Sequence, residues 1–481
     1  MSGALAAPLQ IRVATYNASL NRDTLGLLAT NLGATTPDAQ AKQVAETLQR
    51  VRPDIVLINE FDVDPSNPSS ATSALVLFRT KYLEVSQNGQ APLIYPYSYA
   101  AISNTGVVTG ACSVQTGDFD NNNSVVSSYV AGASTTTKNN FGNDCFGFGW
   151  FPGQYSFVVY SKWPILTTAI RSFRLFKWRD MPGHVMPPGY YTAEEQGIFR
   201  LSSKNHVDLP IELKTGHVLH LLASHPTPPS FDTAEDRNGR RNHDEIRLWA
   251  DYINDASYLY DDAGVSGGLA ADQRFIVLGD LNADPLDGDS YDHAINQLLT
   301  HPRVNASVIP TSPGGPQQTS LPPNGKSILH MGNPAFDTSD FGEFGTSPGN
   351  LRVDHVLGSK PGLAPLTGAV FWPLNTDPTF PLVSASDHRL VRMDFTVLPI
   401  ISQAVRSLAA VKQGADVVLT WGTQSGVSYL VQTSPNLAAW TDAPGITIAL
   451  DGGAQTATAT EAGAAAGPDK FYRVVCTLDG P

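Results

Sequence analysis

Positive charge is scarce in this chain. Lys and Arg number 31 against 44 Asp and Glu, for a formal net charge of −13. A duplex-binding protein normally carries a basic footprint, and none is visible overall; only a local basic groove is left open. Charged residues of either sign make up 16% of the chain, against a usual ~25%. Gly, Ser, Thr, Asn and Pro are plentiful instead, which favours a loop-rich, secreted or periplasmic protein over a cytosolic helical one. No apolar run approaches the ~18 residues of a transmembrane helix, so none is expected. The opening "MSGALAAPLQIRVATYN" lacks a charged leader and a long apolar core, so it is not an intact secretory signal. A signal removed and replaced by an initiator Met would leave such a start. There is no glycine fingerprint for a dinucleotide and no GxxxxGK[ST] phosphate loop.

Cysteine occurs three times, at spacings that fit no zinc site. Cys112 and Cys145 bracket a segment rich in Gly, Asn, Ser and Thr. Such a segment has few apolar residues to fix itself, so a disulfide between them is expected, with two free buried thiols as the alternative. Cys476 has no obvious partner.

What is present is a series of short apolar runs. "IRVATYN" alternates and predicts a strand ending at Asn17. Pro37-Asp38 opens a helix to about Val51, with Val44, Ala45 and Leu48 on one face. "DIVLINE" predicts a buried strand ending at Glu60, and 70–83 a further helix. From about Ser98 to Phe151 the chain is polar and glycine-rich and is expected to run over the surface. Strands are predicted at "YSFVVYS", "ILTTAIRSF", "IFRLSS", "LPIELK" and "VLHLLASH". A helix follows over 241–258, with Ile246, Trp249, Ala250 and Ile253 as its apolar stripe. Then come the strand "FIVLGDLN", a helix near 290–299, and late strands at "RVDHVLGS", "GAVFWPL" and "HRLVRMDFTV". Strands in pairs and runs with few helices between them predict a sandwich of two sheets with helices outside, not a regularly alternating parallel sheet.

Beyond about Leu398 the composition shifts to Ala, Thr and Gly with few basic residues. This predicts a catalytic-size domain over 1–398 and a small, all-β sandwich of the fibronectin or immunoglobulin kind over 399–481. Trp421, Tyr429, Trp440 and Tyr472 are its expected core aromatics.

Several strands finish in a residue suited to metal or phosphate. These are Asn17, Glu60, His225, and Asp280 with Asn282; Asp354 in "RVDHVL" and Asp387-His388 in "SASDHRL" complete the set. A charge abutting a buried strand costs several kcal/mol unless it is paired or coordinated. Any one ending has a plain explanation in a turn cap or an arginine partner; six together are harder to dismiss. Oxygen ligands without cysteine favour a hard cation, Mg²⁺ first, with Mn²⁺ or Ca²⁺ as alternatives. Cation, histidines and amides together suit hydrolysis of a phosphate ester.

The ordered set "TYN", "NE", "SH", "GDLNADP", "RVDHVL" and "SDHRLV" resembles the endonuclease/exonuclease/phosphatase superfamily, over about Ile11 to Leu398. The resemblance implies an α/β fold: a four-layer α/β sandwich of two mixed β-sheets flanked by helices. It implies that Glu60 binds the principal Mg²⁺ with Asn17 and Asp387 close to it, one or two ions acting in all. It implies that Asp280 is the water-activating base or a ligand of a second metal, and that Asn282 holds the phosphate or that metal. His388 would pair with Asp354 and orient or deprotonate the attacking water; His225 would donate to a phosphate oxygen. A rough alignment puts Gln154 where secreted deoxyribonucleases use a glutamate to support the histidine in the His225 role.

Lys204, His206, Arg237, Arg240 and Arg241 are candidate anion contacts; pairing with Asp236, Asp244 and Glu245 is at least as expected for the arginines. Asp284, Asp287 and Asp289 are expected to be turn and helix-capping acids. The leading reading is a monomeric, secreted or periplasmic phosphoesterase. It would act on phosphodiesters or phosphomonoesters of small molecules or lipid headgroups. A Mg²⁺-dependent endonuclease is the nearest alternative, and a non-catalytic surface-binding protein the alternative of another class.

Overall fold

The computed structural model describes residues 7–109, 117–126, 128, 132–322, 325–400, 405–443, 445–467 and 470–480. Two six-stranded sheets lie face to face. The first runs, in spatial order, Leu363–Val370, Val391–Val397, Gln10–Asn17, Ile55–Asn59, Phe157–Ser161, Tyr97–Ala100. The second runs Arg171–Ser172, His206–Lys214, His217–Ser224, Phe275–Asp280, Asp354–Ser359, Val304–Asn305. Both are mixed: Gln10–Asn17 pairs in parallel with Ile55–Asn59, and His217–Ser224 with Phe275–Asp280.

The unbroken apolar runs at the centre of each sheet have a simple cause. Ile55 and Leu57 enter the core between the sheets, where Ile276 and Leu278 meet them. Val56 and Ile58 face the other way, onto Val44 and Leu48 of the helix Ala39–Val51. Phe275 and Val277 likewise pack on Ile246, Trp249 and Ile253 of the helix Arg237–Ile253. A strand buried on both faces has no reason to alternate. The result is four layers, helix–sheet–sheet–helix. The Ala39–Val51 helix starts where Asp38 accepts the Ala41 amide, 2.9 Å, and stops at Arg52, just before Pro53.

Some predicted elements differ. "ILTTAIRSF" is a 3₁₀ turn at Thr167–Ala169 and a two-residue strand, Arg171–Ser172. "IFRLSS" is not a strand, because its start belongs to the helix Ala193–Ile198. Thr192 and Glu195 close a reciprocal capping box there, and this local signal outweighs the short apolar run. The helix expected over 290–299 is broken at Asp292, which has a positive φ of 47°.

The C-terminal residues build a four-stranded and a three-stranded antiparallel sheet. Trp421 and Tyr429 are its buried aromatics, 5.9 Å apart. Trp440 and Tyr472 are only half-buried; Arg473 covers the Trp440 ring, and Glu461 accepts the Tyr472 hydroxyl. The last strand, Phe471–Leu478, returns to the start of the chain, where the Leu9 amide donates to Leu478.

Cys145 is a free, buried thiol donating to the Phe141 carbonyl, not half of a disulfide; its expected partner Cys112 lies outside the described residues. Cys476 is also free. Among the described residues no helix is long and apolar enough to cross a membrane.

Candidate active site

The polar strand ends meet at one edge of the sandwich. Gly279 makes this possible in the second sheet: at its φ of +148°, a Cβ would sit 2.0 Å from the Ser224 carbonyl oxygen. Only glycine lets the strands carrying His225 and Asp280 approach so closely.

Asn17 is buried at the end of its strand. Its Nδ2 donates to Glu60 Oε1 at 3.1 Å and to Asp280 Oδ2 at 3.0 Å, so one amide links a carboxylate of each sheet. Its Oδ1 accepts the Ser19 amide, so Asn17 positions the two acids in this arrangement. Glu60 sits one residue past its strand at φ +54°, uncommon for a residue with a Cβ. Asn21 donates to its second oxygen at 2.9 Å. Asp280 Oδ2 also lies 3.4 Å from His225 Nε2 and 3.6 Å from His388 Nε2. Its Oδ1 accepts the Asn282 amide, and the Asn282 side chain donates to the Pro226 carbonyl. His388 Nδ1 pairs with Asp354 Oδ2 at 2.9 Å, and Thr338 donates to that same carboxylate oxygen. Asp387 is exposed and accepts the Ser19 hydroxyl. All eight strand-end residues thus belong to one connected group.

The electrostatics separate the two histidines. Burial alone would lower His388, but Asp354 and then Asp280 outweigh it and raise it to about 10. His225 is lowered, first by burial and then by the Lys204 charge. One ring is therefore held as the imidazolium and the other as neutral imidazole. Burial would raise the Asp280 carboxyl; the His388 charge and the His225 bond outweigh it and hold it well below the usual carboxylate range.

Five expectations need correction. Gln154 does not support His225. It bridges the Trp150 amide and the Arg22 carbonyl, and the buried His225 Nδ1 has no partner among the described residues. His206 is not at the site: it is fully buried between Ser202 and the Glu245 carbonyl, against the Trp249 ring. Arg237 pairs with Glu235, and Arg240 reaches the Glu235 and Val185 carbonyls over the Tyr291 ring. Arg241 is buried on backbone carbonyls of Leu201, Phe146 and Arg200. Lys204 does lie behind the site. It is buried, and its Nζ donates to the same Pro226 carbonyl as Asn282. Asp284 and Asp287 cap loops through backbone amides, as expected.

Two positioning residues were not foreseen. Asn59 is fully buried, accepts Thr15 and the Asp280 amide, and donates to Ser224, so it ties the sheets together beneath the site. Its sequence signals were an amide at the end of an apolar strand and its place in the pair "NE", neither of which assigned it a role. Glu245 is fully buried and accepts the amides of Ser203 and Thr227, each at 2.6 Å. Helical spacing gave it only as a partner for arginine.

Among the described residues, Asp280, Asp354 and His388 are close enough to share an ion, and so are Asp118, Asp120 and Asp144, far along the chain from the first three. Asp354 and His388 already bond one another and Asp280 faces the His388 charge, which leaves Glu60 and Asp387 as carboxylates without a cationic partner among the described residues, with Asp280 beside Glu60 through Asn17. Such a donor set fits a hard divalent cation.

The sequence matches the model of the Endonuclease/Exonuclease/phosphatase family over residues 14–388. No curated protein matches. Similar solved structures include an endonuclease/exonuclease/phosphatase from Beutenbergia cavernae DSM 12333, at 14% identity and a TM-score of 0.45, covering 97% of this chain and 100% of that one. Another is an endonuclease/exonuclease/phosphatase family protein from Leptotrichia buccalis C-1013-b, at 10% identity and 0.42, covering 80% and 99%.

Proposed function

Because the chain belongs to the endonuclease/exonuclease/phosphatase family, we propose that it is a metal-dependent phosphoesterase. Its substrates would be phosphodiesters or phosphomonoesters of small molecules or lipid headgroups, and residues 1–398 would carry the chemistry. The carrying observation is the Asp280 carboxylate, set between two imidazoles of opposite protonation and joined to Glu60 through one amide. The acidic chain and the engaged side chains of Arg237, Arg240 and Arg241 favour small esters over a nucleic-acid duplex.

Glu60 and Asp387 would hold Mg²⁺, with Asn17 fixing the Glu60 carboxylate beside Asp280. When bound, the ion supplies charge neutralisation at the phosphoryl oxygens and activation of water. The chain's own residues divide the remaining work. His388, kept charged by Asp354, donates from Nε2 to a phosphoryl oxygen. His225 presents a neutral Nε2 on the other side of Asp280 and hydrogen-bonds the phosphoryl group or the leaving oxygen. Asp280, held ionised, orients the incoming water more than it captures its proton. Asn282 lines the phosphate position. The composition supports a secreted or periplasmic place of action.

The test is a metal-titrated panel of aryl phosphate mono-, di- and triesters, with plasmid DNA alongside. Glu60→Ala and His388→Ala should abolish turnover while leaving the protein folded by circular dichroism. Near-normal hydrolysis by either variant sinks the assignment. Robust nicking of DNA with little action on the aryl esters moves it to a nuclease.

A further inference from the structure

The surface excursion over 98–151 was expected to need a crosslink, and Cys145 does not provide one. A different device stands in the same place. The carboxylates of Asp118 and Asp120, in one loop, meet that of Asp144, which ends the helix Thr135–Asn143. Ligand oxygens of all three lie within 4.8 Å of one another.

Like charges this close need a counter-charge, and among the described residues Asp118 and Asp120 have only amide donors, from Asn122, Asn123 and Asn143. No ion pair involves any of the three among the described residues, and the sequence from 82 to 137 contains no Lys, Arg or His. Lys138, the first basic residue after it, lies over the Trp150 ring. Asp144 is 4% exposed. Its Oδ2 accepts the Val126 amide and the Phe119 amide also favours the charged carboxylate, but its Oδ1 is buried with no hydrogen bond of normal geometry among the described residues. A buried carboxylate oxygen without a donor is costly, and the carboxylate that carries it is the one set against the other two acids. Burial pushes this carboxyl up to about 7, and Asp120 and Asp118 add to the effect against the Val126 amide.

We propose that Asp118, Asp120 and Asp144 form a Ca²⁺ site, distinct from the candidate active site, that fixes this excursion to the body of the protein. Calcium suits it better than magnesium. The donors are all oxygen and come from two separate segments, the loop at 118–120 and the end of the helix Thr135–Asn143, a set not pre-shaped for the near-octahedral geometry that Mg²⁺ demands. Asp118, Asp120 and Asn122 alternate like the first, third and fifth positions of a helix–loop–helix calcium loop. Asn123 takes φ +62° where that loop places its glycine. Asp144 would supply the remaining carboxylate from outside the loop. An ion there would satisfy Asp144 Oδ1, and the bound loop would carry Phe119 onto Phe199 and Phe146, where it already packs.

The experiment measures thermal unfolding of the full chain with constant Mg²⁺, in Ca²⁺ against EGTA. Wild type and Glu60→Ala should both gain a few degrees in Tm with Ca²⁺. Asp144→Asn and Asp120→Asn should gain nothing. If Asp144→Asn does not fold, Asp120→Asn, whose side chain is half-exposed, carries the comparison alone. Limited proteolysis of wild type should show Ca²⁺ protecting the loop 117–126 that carries Asp118 and Asp120. No Ca²⁺ shift in wild type overturns the proposal. So does a shift kept in Asp120→Asn, a shift lost in Glu60→Ala, or an equal shift from extra Mg²⁺.

Discussion

Replacing Glu245 by Gln changes almost no volume and tests how the His225 loop is held. Both carboxylate oxygens accept backbone amides at 2.6 Å: Ser203 precedes Lys204, and Thr227 follows His225-Pro226. The side chain also supplies the negative charge facing buried Lys204 and Arg241. A glutamine keeps one acceptor and turns its NH₂ toward the other amide. That forfeits one charge-assisted hydrogen bond, about 1.5–3 kcal/mol, and leaves a buried N–H without a partner. It also strips the counter-charge from two buried cations, and breaking a buried pair this way costs about 3–5 kcal/mol where compensation is poor. These contributions overlap, so the expected net loss is about 3–5 kcal/mol. Urea unfolding followed by tryptophan fluorescence reads it, since Trp249 lies on the same helix. The Pro226 carbonyl, which receives both Lys204 and Asn282, would shift with the loop. We therefore expect kcat on an aryl phosphodiester to fall about 10–100-fold, because sub-ångström displacement of a catalytic group is costly. A Gln variant within about 1 kcal/mol of wild type, with unchanged kcat, would refute the reasoning.

Two further outcomes follow from groups described above. His206 is lowered to about 4, first by burial, with Glu245 opposing. The unfolded chain then binds the extra proton between about 4 and 6.5, so this contribution to stability is lost as pH falls through that window; the gap corresponds to about 3 kcal/mol at most. His206→Gln should flatten the acid limb of stability against pH, and an unchanged slope in urea melts from pH 7 to 4.5 would count against the assignment. Asp354→Asn preserves shape but removes the charge that keeps His388 protonated. It should lower kcat about 10²–10⁴-fold with little change in KM, and a loss confined to KM would place the pair in substrate binding.

Sequence patterning conveyed the four layers and picked out the polar residues that the fold brings together, because both depend on strands buried on two faces and ending in polar residues. Asn17, Glu60, His225 and Asp280 lie at or just past the end of a strand, Asp354 opens one, and Asn282, Asp387 and His388 lie in the adjoining loops; the sheets bring all of them to one edge. What stayed hidden depends on contacts between distant segments. Asn59 is a buried polar residue within an apolar strand, and only the opposing Ser224 and Asp280 backbone makes it necessary. Gln154 was assigned by alignment to a supporting role that it does not have, because the loop 150–154 turns it toward Arg22. His206 and Arg241 suggested anion binding by composition, yet the Arg237–Ile253 helix buries both against backbone carbonyls. Periodicity reports which face of an element is apolar; it says nothing of whether a cation at that face meets solvent or a carbonyl.

The C-terminal sheets meet the two-sheet sandwich at the end of the second sheet remote from this edge. Lys214 donates to the Asp479 carbonyl at 2.6 Å, and the His217 ring bonds the Ser425 carbonyl, both at the turn between His206–Lys214 and His217–Ser224. The second of these strands has 8 residues and leads to His225; at ~3.3 Å per residue, the docking point lies roughly 25 Å from the imidazole. A small ester bound between His225 and His388 is therefore beyond direct reach of the module at this contact. Its contribution is to the frame: it covers Leu9 with Leu478 and caps the hairpin that carries His225 at its far end. That geometry supports an accessory role for 399–481, and it places any effect of the module on turnover in the rigidity of one hairpin.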